Sequence, residues 1–207
     1  MDVGSQSVNA RRAMSAAVFA VAFLFVHSHP VVADHNGVPF GSLRPCGGTP
    51  RNCVSVADNA THLVYFSSVG EGMYNATINT MNEDYNPTDM NMWSTTYWQT
   101  ADVWVYDADY GQNGAAGWVD CPANAPQGVN ARGDAWCKNQ TLKYNITAAY
   151  RPFWEDAGSR AYLACHEMGH TMGLQHWWGS GTCMFPDAPN GPQNLDPVDR
   201  GHINGYY

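Results

Sequence analysis

Basic side chains are scarce in this chain. Lys and Arg number 10 against 18 Asp and Glu, for a formal net charge of −8 with histidine neutral. No basic cluster interrupts that balance. The footprint of a nucleic-acid partner is therefore missing, and so is the polybasic patch that attracts anionic lipid. Charged residues of both signs reach only 14%, while 44% are hydrophobic. That excludes disorder, which needs high charge and few apolar groups. Internal repeats and low-complexity linkers are lacking too, so 207 residues suit a single domain with its own core. Long apolar runs are absent, with one exception.

That run, Ala13 to Val26, covers 14 residues behind Arg11-Arg12, short of the roughly 20 a membrane-spanning helix needs. Val31-Val32-Ala33 follows, a small-residue pattern of the kind cut by signal peptidase. Residues 1–33 are thus expected to be a signal peptide, the protein secreted, and no membrane engaged after cleavage. The chain carries Cys46, Cys53, Cys121, Cys137, Cys165 and Cys183. An even number in an exported chain reads as disulfides. Neighbour pairing (Cys46–Cys53, Cys121–Cys137, Cys165–Cys183) is the simplest arrangement, although the spacing alone does not select it. Asn59, Asn75, Asn139 and Asn145 head Asn-x-Thr triplets, which accept glycans in a eukaryotic secretory pathway.

Along the rest of the chain, residues 34–60 are Gly-, Pro- and Asn-rich and read as an irregular segment before a domain at 61–207. THLVYFSS (61–68) and ADVWVY (101–106) are rich in β-formers and read as strands. Residues 115–119 and 143–149 are shorter strand candidates. Glu71 to Glu83 forms a helix with Met73, Tyr74, Ile78 and Met81 near one face, ending before Asn86-Pro87. A second helical pattern runs over about 156–172, and Asp196-Pro197 opens a last helix reaching about Tyr206. Strands first and a helix last give an α+β class. The 8 Trp and 11 Tyr are read as filling the core and sheet surface rather than building a sugar-binding face.

Residues 166–176 read HEMGHTMGLQH. His166 and His170 are four apart, so on a helix they share a face, about 40° out of line. Both imidazoles can then reach one cation. Glu167, turned about 100° from His166, lies beside that cation, where a carboxylate can act on water. His176 would point about 240° away from His170 if the helix continued. Gly173 resolves this, because glycine takes the left-handed conformation that ends a helix and turns the chain. Three histidines leave a fourth tetrahedral position open, the pattern of a catalytic zinc rather than a closed structural one.

H-E-x-x-H-x-x-G-x-x-H followed by a methionine turn is the signature of the metzincin metalloproteases, which this chain resembles. Cys183-Met184-Phe185-Pro186 looks like that turn. The likeness extends less specifically over 61–207: ADVWVY resembles the third strand, GAAGWVD (114–120) the antiparallel edge strand that binds substrate, and LDPVDRGHINGYY the last helix of matrixins. Matrixins are the nearest subfamily. Trp177 after the third histidine, Pro186 where astacins have a tyrosine switch, and the missing structural-zinc histidines leave the subfamily unassigned.

The resemblance implies a zincin fold: a twisted, mostly parallel sheet with an antiparallel edge strand, an active-site helix and a small C-terminal subdomain (174–207) with one helix. It implies one catalytic Zn²⁺ on His166, His170 and His176, Glu167 as general base and acid, Met184 supporting the site and Gly173 making the turn. A Cys165–Cys183 bridge would tie the zinc helix to the methionine turn. The expected activity is that of a secreted, monomeric zinc endopeptidase taking a peptide or protein in extended form. A zinc amidohydrolase acting on cell-wall or other non-protein amides, or a secreted binding module with a structural zinc, are the alternatives. Asp107, Asp109 and Asn113 form an oxygen-rich stretch that could hold Ca²⁺, though without the Gly and distal Glu of an EF-hand. His62 and His202 read as surface or satisfied histidines.

Overall fold

In a computed structural model of the protein, the residues described are Met1, 55–132, 134–177, 181–186 and 188–207. The expected signal peptide, most of the 34–60 segment and the Cys46–Cys53 pair lie outside them. The chain runs β1 (Thr61–Ser68), α1 (Glu71–Thr80), β2 (Asn91–Thr95), β3 (Val103–Ala108), β4 (Gly117–Asp120), β5 (Gln127–Val129), β6 (Ala135–Cys137), β7 (Gln140–Asn145), α2 (Ala157–Thr171) and α3 (Pro197–Tyr206). Five strands form one sheet in the order β2-β1-β3-β7-β4. The first three pairings are parallel, and β4 joins the edge antiparallel to β7. The fold is α+β with a mostly parallel sheet. β5 and β6 make a separate two-stranded ribbon.

Alternation along the strands separates two faces. Val64, Val103, Val105, Leu142, Tyr144 and Val119 are buried and join residues of α1, α2 and α3 in one hydrophobic cluster. Leu63, Tyr65, Trp104, Tyr106, Lys143 and Trp118, at the intervening positions, are half-buried. Ring packing on this side is edge to face, with Tyr65 at 6.3 Å and Trp98 at 5.7 Å from Trp104. Trp93 and Trp98, 58% and 50% exposed, extend the aromatic surface at the β2 side. The aromatics thus cover the sheet as well as fill the core.

Several elements depart from their predicted bounds. The first helix buries Met73, Ala76, Thr77 and Thr80, whereas Tyr74 is exposed and leans on Phe66 at 4.6 Å. Threonines enter the core here because they are satisfied. Thr77 donates its hydroxyl to the Met73 carbonyl and meets the Tyr144 hydroxyl at 2.9 Å. After Thr80 the helix widens into a π-turn, Met81–Tyr85, and Tyr85 donates to the carbonyl of Cys165 in α2 at 2.6 Å. The last strand begins at Gln140 and stops at Asn145. Residues 148–153 form a 3-10 turn instead. β2, β5 and β6 are additional strands whose short sequences, NMWST, QGV and AWC, are too brief to show a clear alternation. Residues 55–60 are not wholly irregular: Val56 is fully buried and exchanges backbone bonds with Ala135 and Cys137 beside the ribbon.

The Cys121–Cys137 and Cys165–Cys183 bridges are present. The first links the end of β4 to β6, the second α2 to the segment before α3. Among the described residues no helix is long and apolar enough to cross a membrane.

Candidate metal centre

Asp156 caps α2 by accepting the Ser159 amide at 3.0 Å. The helix then carries His166, Glu167 and His170 to its C-terminal end. Its termination follows from Gly173, which has φ +102°, a conformation that strains any residue with a Cβ. The Leu174 amide donates back to the Gly169 carbonyl at 3.0 Å and the Gly173 amide to the His170 carbonyl at 3.3 Å. Those two bonds make a Schellman ending. Past it the chain reverses and brings His176 back to the helix.

The three histidines converge. Their ligand atoms lie within 4.8 Å of one another, with His166 Nε2 3.1 Å from both His170 Nε2 and His176 Nε2. The other ring nitrogens explain why these contacts are not ordinary hydrogen bonds. His166 Nδ1 lies 2.7 Å from the Cys183 carbonyl and His170 Nδ1 lies 2.8 Å from the Leu174 carbonyl. A carbonyl only accepts, so each Nδ1 carries the proton and each Nε2 presents a lone pair. Nitrogen lone pairs facing one another at this distance could hold a metal ion. Tetrahedral nitrogens about 2.0–2.1 Å from a zinc ion stand about 3.3–3.4 Å apart, so the donor set fits such an ion. Burial first, and the neighbouring imidazoles second, push His166 down to about 3 and His170 well below the usual histidine range. Both remain neutral, the form that ligates metal.

Glu167 lies beside the triad, 4% exposed. Its Oε2 is buried without a hydrogen-bond partner, an orphaned acceptor next to a cation site. Burial pushes its carboxyl up to about 8. The carboxylate packs directly on the edge strand, where a Cβ at Gly117 would lie 2.6 Å from Glu167 Oε1. Met184 is fully buried against Gly169 of the helix, and its carbonyl accepts the Trp177 amide at 2.9 Å. It sits between the turn that holds His176 and the helix that holds the other two ligands.

The structure therefore gathers His166, His170, His176, Glu167, Gly173 and Met184 at one place. It also reveals participants with weak sequence signals. The partners of the histidine Nδ1 atoms are backbone carbonyls, which no residue type announces. Gly117 lies in a strand whose edge position was read only by resemblance, and its role depends on what crosses it.

The oxygen-rich stretch is knit together by its own hydrogen bonds. Asp109 accepts from the Gly111 amide at 2.9 Å and from the Thr147 hydroxyl, and Asp107 accepts from the Gly70 amide at 2.7 Å. Asn145, fully buried, occupies the centre and donates to Gly111, Asn113 and Ala115 oxygens at 2.9, 3.2 and 3.1 Å. One carboxylate oxygen of each of Asp107 and Asp109, and the Asn113 Oδ1, thus accept from protein donors. The same burial sets Asn145 apart from exposed Asn59 and Asn75 among the Asn-x-Thr triplets. His62 is fully buried rather than on the surface. Its Nε2 meets Thr171 Oγ1 at 3.0 Å, while Nδ1 is buried without a partner. Burial, opposed by Asp58, lowers it to about 4.

No family model and no curated protein matches this chain. Among solved structures, two of myroilysin resemble it at TM-score 0.37 and 11% identity, covering 59% and 62% of this chain and 52% and 49% of theirs. The match spans about half the length of those chains.

Proposed function

We propose that the protein is a secreted zinc-dependent endopeptidase of the metzincin type. One observation carries this reading: the ligand nitrogens of three histidines converge next to a buried glutamate whose Oε2 has no hydrogen-bond partner, and backbone carbonyls hold the protons of His166 and His170 on their far ring nitrogens. His166, His170 and His176 would hold the ion. A zinc ion held there would supply Lewis acidity and make a water more acidic. Glu167 takes a proton from the attacking water and delivers it to the departing amine nitrogen. Its burial suits both halves of that task, because a desolvated carboxyl holds a proton more readily than an exposed one. The nearby edge strand β4 offers backbone groups to a peptide in extended form, and Gly117 in that strand lies against Glu167. A substrate on that edge would run past the base.

The test is cleavage of a diverse peptide library, with product masses read at zinc saturation and after chelation. Cleavage that stops on chelation and returns with zinc is expected. Glu167→Ala should keep its zinc by elemental analysis and lose activity by about 10²–10⁴-fold. Intact activity in that variant would remove the assigned base, and hydrolysis of peptidoglycan without any peptide cleavage would favour a different amide as substrate.

A further inference from the structure

Beyond the ligands themselves, one peptide unit controls how His166 faces the ion. The Cys183 carbonyl accepts from His166 Nδ1 at 2.7 Å, and the amide at the other end of that planar unit is Met184 N–H. The Met184 amide donates to Thr182 Oγ1 at 3.1 Å. Because the peptide is planar, fixing its N–H fixes the direction of its carbonyl. Thr182 Oγ1 can offer a lone pair in that direction only when its own proton points elsewhere. It points at Asp199 Oδ2 in α3, to which the hydroxyl donates. Thr182, Cys183 and Met184 are fully buried and Asp199 is 2% exposed, so water does not compete for these bonds.

We propose that Asp199, acting through the Thr182 hydroxyl, is a positioning residue that aims the Cys183 carbonyl and thereby orients His166 toward the metal. The inference rests on the zinc reading above. It assigns the last helix a role in metal affinity, although Asp199 lies 33 residues beyond His166 in sequence. Asp196, Pro197 and the rest of α3 hold Asp199 in place: the Asp196 side chain accepts the Val198 and Asp199 amides at 2.8 Å each, and Ile203 anchors the helix in the core.

The experiment measures the zinc dissociation constant by competition with a chromophoric chelator, alongside thermal melting of the zinc-free protein. Thr182→Val removes the hydroxyl at nearly constant shape, and Asp199→Ala removes its acceptor. Both should weaken zinc by about 10–100-fold, the usual effect of losing a partner behind a ligand. Thr182→Ser should restore parental affinity. Tyr206→Phe is the control, since it loses the α3 contacts to Asn130 and Asp134 and leaves the turn intact. Its affinity should stay parental even if its melting temperature falls. Should Thr182→Val fail to fold, Asp199→Ala, which removes the acceptor, decides with the same readout. Parental zinc affinity in these variants, or an equal loss in Tyr206→Phe, overturns the inference while leaving the zinc reading standing. A parent protein that takes up no zinc overturns both.

Discussion

Replacing Gly117 by alanine adds one methyl group at the narrowest point between β4 and the candidate base. That methyl would sit 2.6 Å from Glu167 Oε1 and 2.7 Å from both its Cδ and Cγ. Carbon and oxygen do not approach so closely, and relief requires a displacement of roughly 0.6–1 Å toward ordinary contact distances. The sheet backbone is held on one side by the β7 ladder, so the side chain of Glu167 gives way first. Rotating it costs about 1 kcal/mol, and the fold and the three histidines are untouched. Catalysis is less forgiving, since a misplacement of about 1 Å costs on the order of 100-fold, or about 2.7 kcal/mol in the barrier. The assay is steady-state peptide hydrolysis, paired with zinc content and a thermal melt. Expected are parental zinc, a slightly lower melting temperature and a kcat/KM reduced about 100-fold. In a Glu167→Ala background the same substitution should cost little further activity, because the group it displaces is already gone. A Gly117→Ala protein with parental kcat/KM would refute the reasoning outright.

Gly173→Ala forces a Cβ into φ +102°. It should lower stability by about 1–2 kcal/mol in a denaturant titration, with weaker zinc binding as the turn to His176 loosens. Gly201→Ala in α3 meets no atom within 4 Å, so the helix should gain about 0.5–1 kcal/mol. An unchanged midpoint would count against that assignment. Asn145→Ala empties the centre of the 107–115 loop and removes its half-buried bonds to the Gly111, Asn113 and Ala115 oxygens, at a cost of about 1–3 kcal/mol in a denaturant titration. Added calcium should leave the melting temperature of the parent unchanged, and a calcium-dependent rise would point to an ion site there.

Local chemistry was legible from residue order wherever the relevant partners lie within a few positions. The i, i+4 spacing of His166 and His170 places them on one helix face by helical geometry alone. Gly173 and Asp196-Pro197 mark helix boundaries because they answer backbone demands set by their immediate neighbours. The alternating strand at 101–106 and the short strand candidate at 115–119 could be read in the same way, whereas the edge position of the latter came from the family resemblance. Tertiary structure decided whatever depends on distant segments meeting. It drew the Cys183 and Leu174 carbonyls onto Nδ1 of His166 and His170, laid Gly117 against Glu167, and set Asn145 at the centre of the 107–115 loop. It buried Thr77, Thr80 and His62, whose burial residue type alone does not announce. Backbone carbonyls have no sequence signature, and a polar side chain is tolerated in a core only when a partner arrives from elsewhere in the chain. Residue order states which groups need partners, and the fold determines which partners they receive.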